Sequence, residues 1–567
     1  MLTRLLLVAT LPSLLSGQGP TMPGAADSII GMWGVEQLLG PDLRGTLLIR
    51  RDRRGWHGRI GDEQAHAPPQ DSIRLHFGTR GEFRGTDSER GVHGFWIQPE
   101  GHGMRASYAT PAELQLVRGG WQWVIRPLDD RISLYLSIRR DSTGSLNALL
   151  TNPEGNFGDA AFDVLIDAAT DSVRLRNRSD STQTLHGVWK RDTLRLTLPD
   201  FGSFGLTRRD RATAPGFFAS RGGAASYQYS TPRAEKGDLP VASLTSVNLD
   251  SVRVLKLVRS IQDLDARQGG MPLVHSLLIA RHGKLVVEEY FHGFDASMVH
   301  DLRSASKTFV SVLAGIVSLD PKTEVYKNFA RYQPFANWVP GKASMTFAHL
   351  LTMTSGLACD DNDNDSPGNE GTMQSQTRQR DWYKYTLDLP LTHAPGDTAA
   401  YCSAGINLAG GVLANRTRQW LPALIDERLM RPLGITEYHV NLMPAGQAYM
   451  GGGVYMRPRD LLKIGQLYLD GGRWRGQQIV PSSWVKESTR LHPEINAKNT
   501  DAYMWHTNTI RVGDREYREI EANGNGGQLL MLIPELDLVV VTTAGNYNRY
   551  GVWRRFRDEW LANYIIP

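Results

Sequence analysis

The spacing of apolar residues changes once along this chain, and that change limits what it can fold into. From about Ile29 to Leu206, short runs alternate apolar and polar residues (LYLSI, LRLTL) between Gly, Asp and Asn turns. Alternation with period two marks strands with one buried face, and turns roughly every ten residues mark an antiparallel barrel or sandwich. From Arg208 to about Thr245 the chain is rich in Gly, Ala, Ser, Pro and Arg, the texture of a linker draped over a neighbour. Beyond it, helical spacing begins near Leu249. A two-strand run follows around His282-Gly283, helices dominate from Ser304 to about Leu469, and strands return at His506–Val512 and Gln528–Thr543. Strands from both ends of a segment with helices between them predict a layered α/β (α+β) domain.

Met1–Arg4 is a positive start, Leu5–Leu15 an apolar run, and Ser16–Ala26 small and polar, the pattern of a signal peptide. The run is shorter than the ~20 residues needed to span a bilayer. The expected organisation is a signal peptide at 1–26, a β-rich, barrel-like (lipocalin-like) domain at 27–207, a linker at 208–245 and a catalytic domain at 246–567. The expected location is periplasmic or extracellular, with no integral membrane segment after cleavage. The net charge of +4 on 567 residues gives no sign of a nucleic-acid partner. Six tryptophans in the β region (Trp33, Trp56, Trp96, Trp121, Trp123, Trp189) are read as core and barrel-end packing rather than a glycan-lined cavity. Cys359 and Cys402 leave both a bridge and two buried thiols open.

Ser304-Ala305-Ser306-Lys307 opens a helix, because Phe309, Val312, Leu313, Ile316 and Val317 recur at helical spacing. Residues three apart share a face, so the Ser304 hydroxyl stands beside the Lys307 amine. A serine needs a neighbour to take its proton, and burial that lowers a lysine's pKa lets it serve. Ser306 has no lysine three residues on. Tyr401-Cys402-Ser403 offers a phenol for proton relay and a hydroxyl that could bond substrate or Lys307. Asn523-Gly524-Asn525-Gly526-Gly527-Gln528 enters an apolar strand, where glycines permit close approach and strand N–H groups can complete an oxyanion hole. The aspartates of Cys359–Glu370 fail the EF-hand pattern at Ser366 and Thr372, so they are read as a solvated or internally bonded loop. No zinc helix, Walker loop or Gly-x-Ser-x-Gly elbow occurs. The 15 histidines are scattered, and His349 is read as structural.

In order and spacing, these three motifs resemble the serine β-lactamase-like superfamily, which holds class C β-lactamases, D-alanyl-D-alanine carboxypeptidases, family VIII esterases and 6-aminohexanoate-dimer hydrolases. HLLTMTSGL, GGGVYMRPRDLLKIGQLYLDGGRW and LVVVTTAGN fit as well, and the resemblance covers about Leu249 to Pro567. It implies Ser304 as acylated nucleophile, Lys307 as base and Tyr401 as proton relay. It implies the N–H groups of Ser304 and Gln528 (or Gly527) as oxyanion hole, and substrate contacts from Ser403, Asn525, Gly526 and Gly527, with no metal and no cofactor. The β-lactamases and transpeptidases of that superfamily usually carry Lys-Thr-Gly or His-Thr-Gly where this chain has Asn525-Gly526-Gly527, and class C enzymes carry Tyr-x-Asn where it has Tyr-x-Ser. Both departures favour a carboxylesterase or amide hydrolase acting on a small ester, amide or peptide-like substrate. A β-lactamase or carboxypeptidase is the first alternative, and a non-turnover penicillin-binding sensor or ligand-binding protein the second.

Overall fold

The computed structural model describes residues 28–38, 43–89, 91–100, 106–128, 131–153, 158–167, 169–199, 201–220, 227–265, 270–494 and 502–567. The expected signal peptide lies outside them.

Eight strands close a barrel: Gly31–Leu38, then seven consecutive strands from Arg131–Arg140 to Gly202–Arg209. Closure is made by Trp33 against Arg208 and Gly34 against Thr207. Alternation explains the barrel directly: in Thr193–Leu198 each leucine is buried and each polar residue is exposed. Trp33, Leu136, Leu175, Leu194 and Phe204 fill the interior.

The strand run does not build a single meander. Residues between the first two barrel strands form a second β unit of two sheets, with Trp56 and Trp96 fully buried in its own core. One of its strands, Tyr108–Glu113, pairs antiparallel with Tyr438–Asn441 of the C-terminal region. That strand pairs with Val454–Met456, which pairs with His300–Asp301, immediately before Ser304. One continuous sheet therefore runs from the inserted unit to the motif. Segment 227–241 lies over the C-terminal region: Tyr229 donates to the Val286 carbonyl at 2.9 Å, and Asp238 pairs with Lys463 at 2.7 Å.

The C-terminal region has a six-stranded antiparallel sheet in the order 284–290, 274–281, 538–544, 528–533, 515–524, 506–512. One face packs on helices Thr308–Ile316 and Pro458–Leu469, with Ser403–Thr417 packed in turn on Thr308–Ile316, and the other face packs on Ser251–Gln262 and Phe556–Ile565. This is the expected antiparallel sheet flanked by helices. Among the described residues no helix is long and apolar enough to cross a membrane.

Buried histidines sit at the joins. His439, on the strand shared with the inserted unit, is 2.6 Å from the Thr110 hydroxyl, and burial pushes its pKa down to about 3. Burial pushes His292 down to about 4. The folded chain keeps both neutral while the unfolded chain protonates near pH 6.5, so stability falls as pH drops from 6.5 toward 3–4. The expected loss is on the order of 3 kcal/mol per histidine. Thermal unfolding against pH checks this, and His439→Gln should flatten the acid limb.

Candidate active site

Ser304 lies in a 3-10 turn, Arg303–Lys307, that leads into helix Thr308–Ile316. In a 3-10 turn residues i and i+3 eclipse, which aligns the two side chains more closely than an α-helix would. Lys307 Nζ donates to Ser304 Oγ at 3.0 Å. It also donates to the carbonyl of Gly451, and it sits 4.9 Å from the centre of the Tyr401 ring. Arg303, just before the serine, has φ +50°, a left-handed conformation that costs a non-glycine residue ~1–3 kcal/mol. Asp301 holds it there, accepting from the Arg303 backbone N–H at 2.9 Å and pairing with its guanidinium at 3.0 Å. Ser306 is fully buried and its Oγ accepts from Val454 N–H, so it serves packing.

Tyr401 is fixed by its backbone neighbours. The Ala400 N–H donates to Met353 O at 2.9 Å, and the Asp361 N–H donates to Tyr401 O at 2.7 Å. The next residue, Cys402, is disulfide-bonded to Cys359. The bridge spans 43 residues of sequence and locks the acidic loop to the start of helix Ser403–Thr417. A Cys359→Ser/Cys402→Ser protein should lose about 4 kcal/mol of stability. It should also turn over more slowly, because Tyr401 is freed. Thermal unfolding and turnover, each with and without reductant, check both.

The acidic loop is internally bonded: Asp361 accepts from the N–H groups of Glu370 and Ser403, both at 2.8 Å. Its charges correct one expectation. Burial alone would lower the Lys307 pKa. The phenol of Tyr401 and the carboxylates of Glu370 and Asp361 outweigh burial and hold it above the ordinary lysine value. Glu370, Asp361 and the Gly451 carbonyl were not read from the sequence, because nothing local ties residues 361, 370 and 451 to residue 307.

A cavity of 20 Å³, room for about one water, is lined by Ser304, Lys307, Tyr401, Met353, Met504 and Asn523. The third motif needs a shift in register. The residue against the nucleophile's turn is Gly524: a Cβ there would lie 2.2 Å from Leu302 O and 3.2 Å from Ala305 N. Asn525, Gly526 and Gly527 form the turn that follows. Gly527 N–H donates to Gly524 O at 3.2 Å, so it is occupied in the turn rather than offered to an oxyanion. Gln528 is fully buried opposite Gly524, and its carboxamide donates to Ala544 O and accepts from Ala544 N–H. The Asn525 side chain bonds Asn548 at 2.7 Å, and Gly526 bridges to Asn546. Ser403 is fully buried, lines no part of the cavity, and its Oγ has no partner among the described residues. The structure therefore brings Ser304, Lys307 and Tyr401 together around the cavity, and Ser403, Asn525, Gly526, Gly527 and Gln528 are not among the residues that line it.

Residues 258–553 match the family model described as Beta-lactamase. The chain is 24% identical over 315 residues to the 6-aminohexanoate-dimer hydrolase of Paenarthrobacter ureafaciens, covering 51% of this chain and 77% of that one. It is 30% identical over 193 residues to the D-alanyl-D-alanine-carboxypeptidase/endopeptidase AmpH of Escherichia coli K12, spanning 30% of this chain and about half (49%) of that relative. A solved beta-lactamase from Mycobacterium bovis superposes with a TM-score of 0.37 at 17% identity, covering 52% of this chain and 97% of its own. With more than half its length matched by that model, the chain belongs to the Beta-lactamase family of hydrolases.

Proposed function

We propose that the chain is an exported serine hydrolase that cleaves small carboxylic esters or uncharged amides through an acyl-Ser304 intermediate. The 3.0 Å contact of Lys307 Nζ with Ser304 Oγ, beneath the Tyr401 ring, carries this reading. As Ser304 Oγ bonds to the acyl carbon, its proton passes to the Lys307–Tyr401 pair. The pair returns a proton to the departing alcohol or amine as the acyl–O or acyl–N bond breaks. Water then attacks the acyl-serine, losing a proton to the same pair, and Ser304 regains its own on release. The oxyanion is assigned to the N–H groups of Ser304 and Asn525, the residue that leaves the strand beside the nucleophile's turn.

The preference for uncharged substrates rests on strand Arg515–Gly524. Ala522 and Gly524, on the face turned toward helix Thr308–Ile316, bring no cation to meet a substrate carboxylate. Side-by-side turnover of p-nitrophenyl butyrate and a chromogenic cephalosporin tests it. The expected kcat/KM favours the ester by at least about tenfold, some 1.4 kcal/mol in transition-state binding. A preference for the cephalosporin would point to a β-lactamase or carboxypeptidase instead.

A further inference from the structure

A cleft of 920 Å³ opens where the inserted β unit meets the C-terminal region, apart from the Ser304 cavity. One wall comes from 110–128, the other from 294–299 and 431–439. Its size is at the upper end of small-ligand sites, which combine apolar walls with a few placed polar groups. Val124 and Met298, one from each wall, are 51% and 38% exposed, so both walls offer apolar surface to the cleft.

The polar groups narrow the ligand class. Buried Asp426 forms a fixed floor, accepting from the Tyr438 hydroxyl at 3.0 Å and from Arg431 at 2.6 Å. Gln115 and Gln122 are direct cross-strand neighbours, so two carboxamides stand side by side, each able to donate and accept. Charges of both signs are exposed: Arg126 on one wall and Glu437 on the other. Trp123 is packed onto the core of the inserted unit rather than presented as a flat platform. Aliphatic walls, adjacent carboxamides and opposite charges suit a short peptide with free ends better than a sugar. A sugar has no charged ends and favours an open aromatic face.

We propose that this cleft is a second binding site, for a short apolar peptide whose free carboxylate meets Arg126 and whose free amine meets Glu437. The test uses the full chain with Ser304 blocked by a fluorophosphonate, so the catalytic cavity cannot account for binding. Calorimetry with unblocked trileucine should give one site per chain. Binding should weaken about a hundredfold with N-acetyl-trileucine amide, which loses both charged ends, and about tenfold in Arg126→Ala, the loss of one charge-assisted contact. Val124→Asp should weaken it as well. Arg126 and Val124 are exposed, so neither change disturbs a core. Equal binding of the blocked peptide, binding of cellotetraose in place of trileucine, or no binding of trileucine at millimolar concentration would each overturn the proposal.

Discussion

Lys307→Ala is expected to lower kcat/KM for p-nitrophenyl butyrate by about a thousandfold, the scale of a lost general base. Two effects combine. The Ser304 hydroxyl loses the group 3.0 Å away that takes its proton. The charges of Glu370 and Asp361, which hold Lys307 above its ordinary value, lose their buried cation. Removing one member of a buried charged set costs roughly 3 kcal/mol or more, so the midpoint of unfolding falls as well. Lys307→Arg keeps a buried cation beside Glu370 and Asp361 but is always protonated, and so separates the two effects: it should lose the rate while losing less stability than Lys307→Ala. The direction of the Lys307 shift also sets pH dependence. Because the folded value is raised, its stabilising contribution is complete below the ordinary lysine value and is lost only as pH rises through the folded one. The neutral amine that accepts the proton grows with pH, so acylation should quicken through the alkaline range until the protein unfolds. Stopped-flow acylation against pH checks it, and a rate that falls from pH 8 to 10 in still-folded protein would contradict it.

Gly524→Ala is expected to cost about a hundredfold in kcat. Its Cβ would stand 2.2 Å from the Leu302 carbonyl, with Ala305 N 3.2 Å away, and backbone cannot swing aside as a long side chain can. The strand must retreat from the nucleophile's turn, and a misplacement of ~1 Å at a reacting centre is worth about that factor. Gly551→Ala is the control: nothing lies within 4 Å of its Cβ, so activity and unfolding midpoint should hold. Steady-state kinetics and thermal unfolding of the two proteins together separate a displaced site from a general loss of fold.

The parts of this molecule that were legible in the sequence are those set by neighbours in the chain. Ser304 and Lys307 are three residues apart, a spacing that brings them together in a 3-10 turn as in an α-helix. Strand alternation from Gly31 to Arg209 named the β class, since each strand carries its own period. Pairing partners are not local, so alternation could not show that residues between Leu38 and Arg131 form a separate unit. Nor could it show that Tyr108 lies beside Asn441. The third motif failed for a related reason. Gly524, Gly526 and Gly527 look alike in sequence, and only the packing of Leu302 distinguishes the one that faces the nucleophile. The lysine's shift was misjudged because its burial follows from an apolar helix, whereas its compensating charges arrive from a loop more than fifty residues away.

The most direct test of the central claim is mass spectrometry of the intact, folded chain after treatment with a fluorophosphonate, in wild type and in Ser304→Ala. A single adduct on the peptide containing Ser304, absent from the alanine protein together with ester turnover, is the predicted result. An adduct of equal yield in Ser304→Ala with turnover undiminished would contradict it.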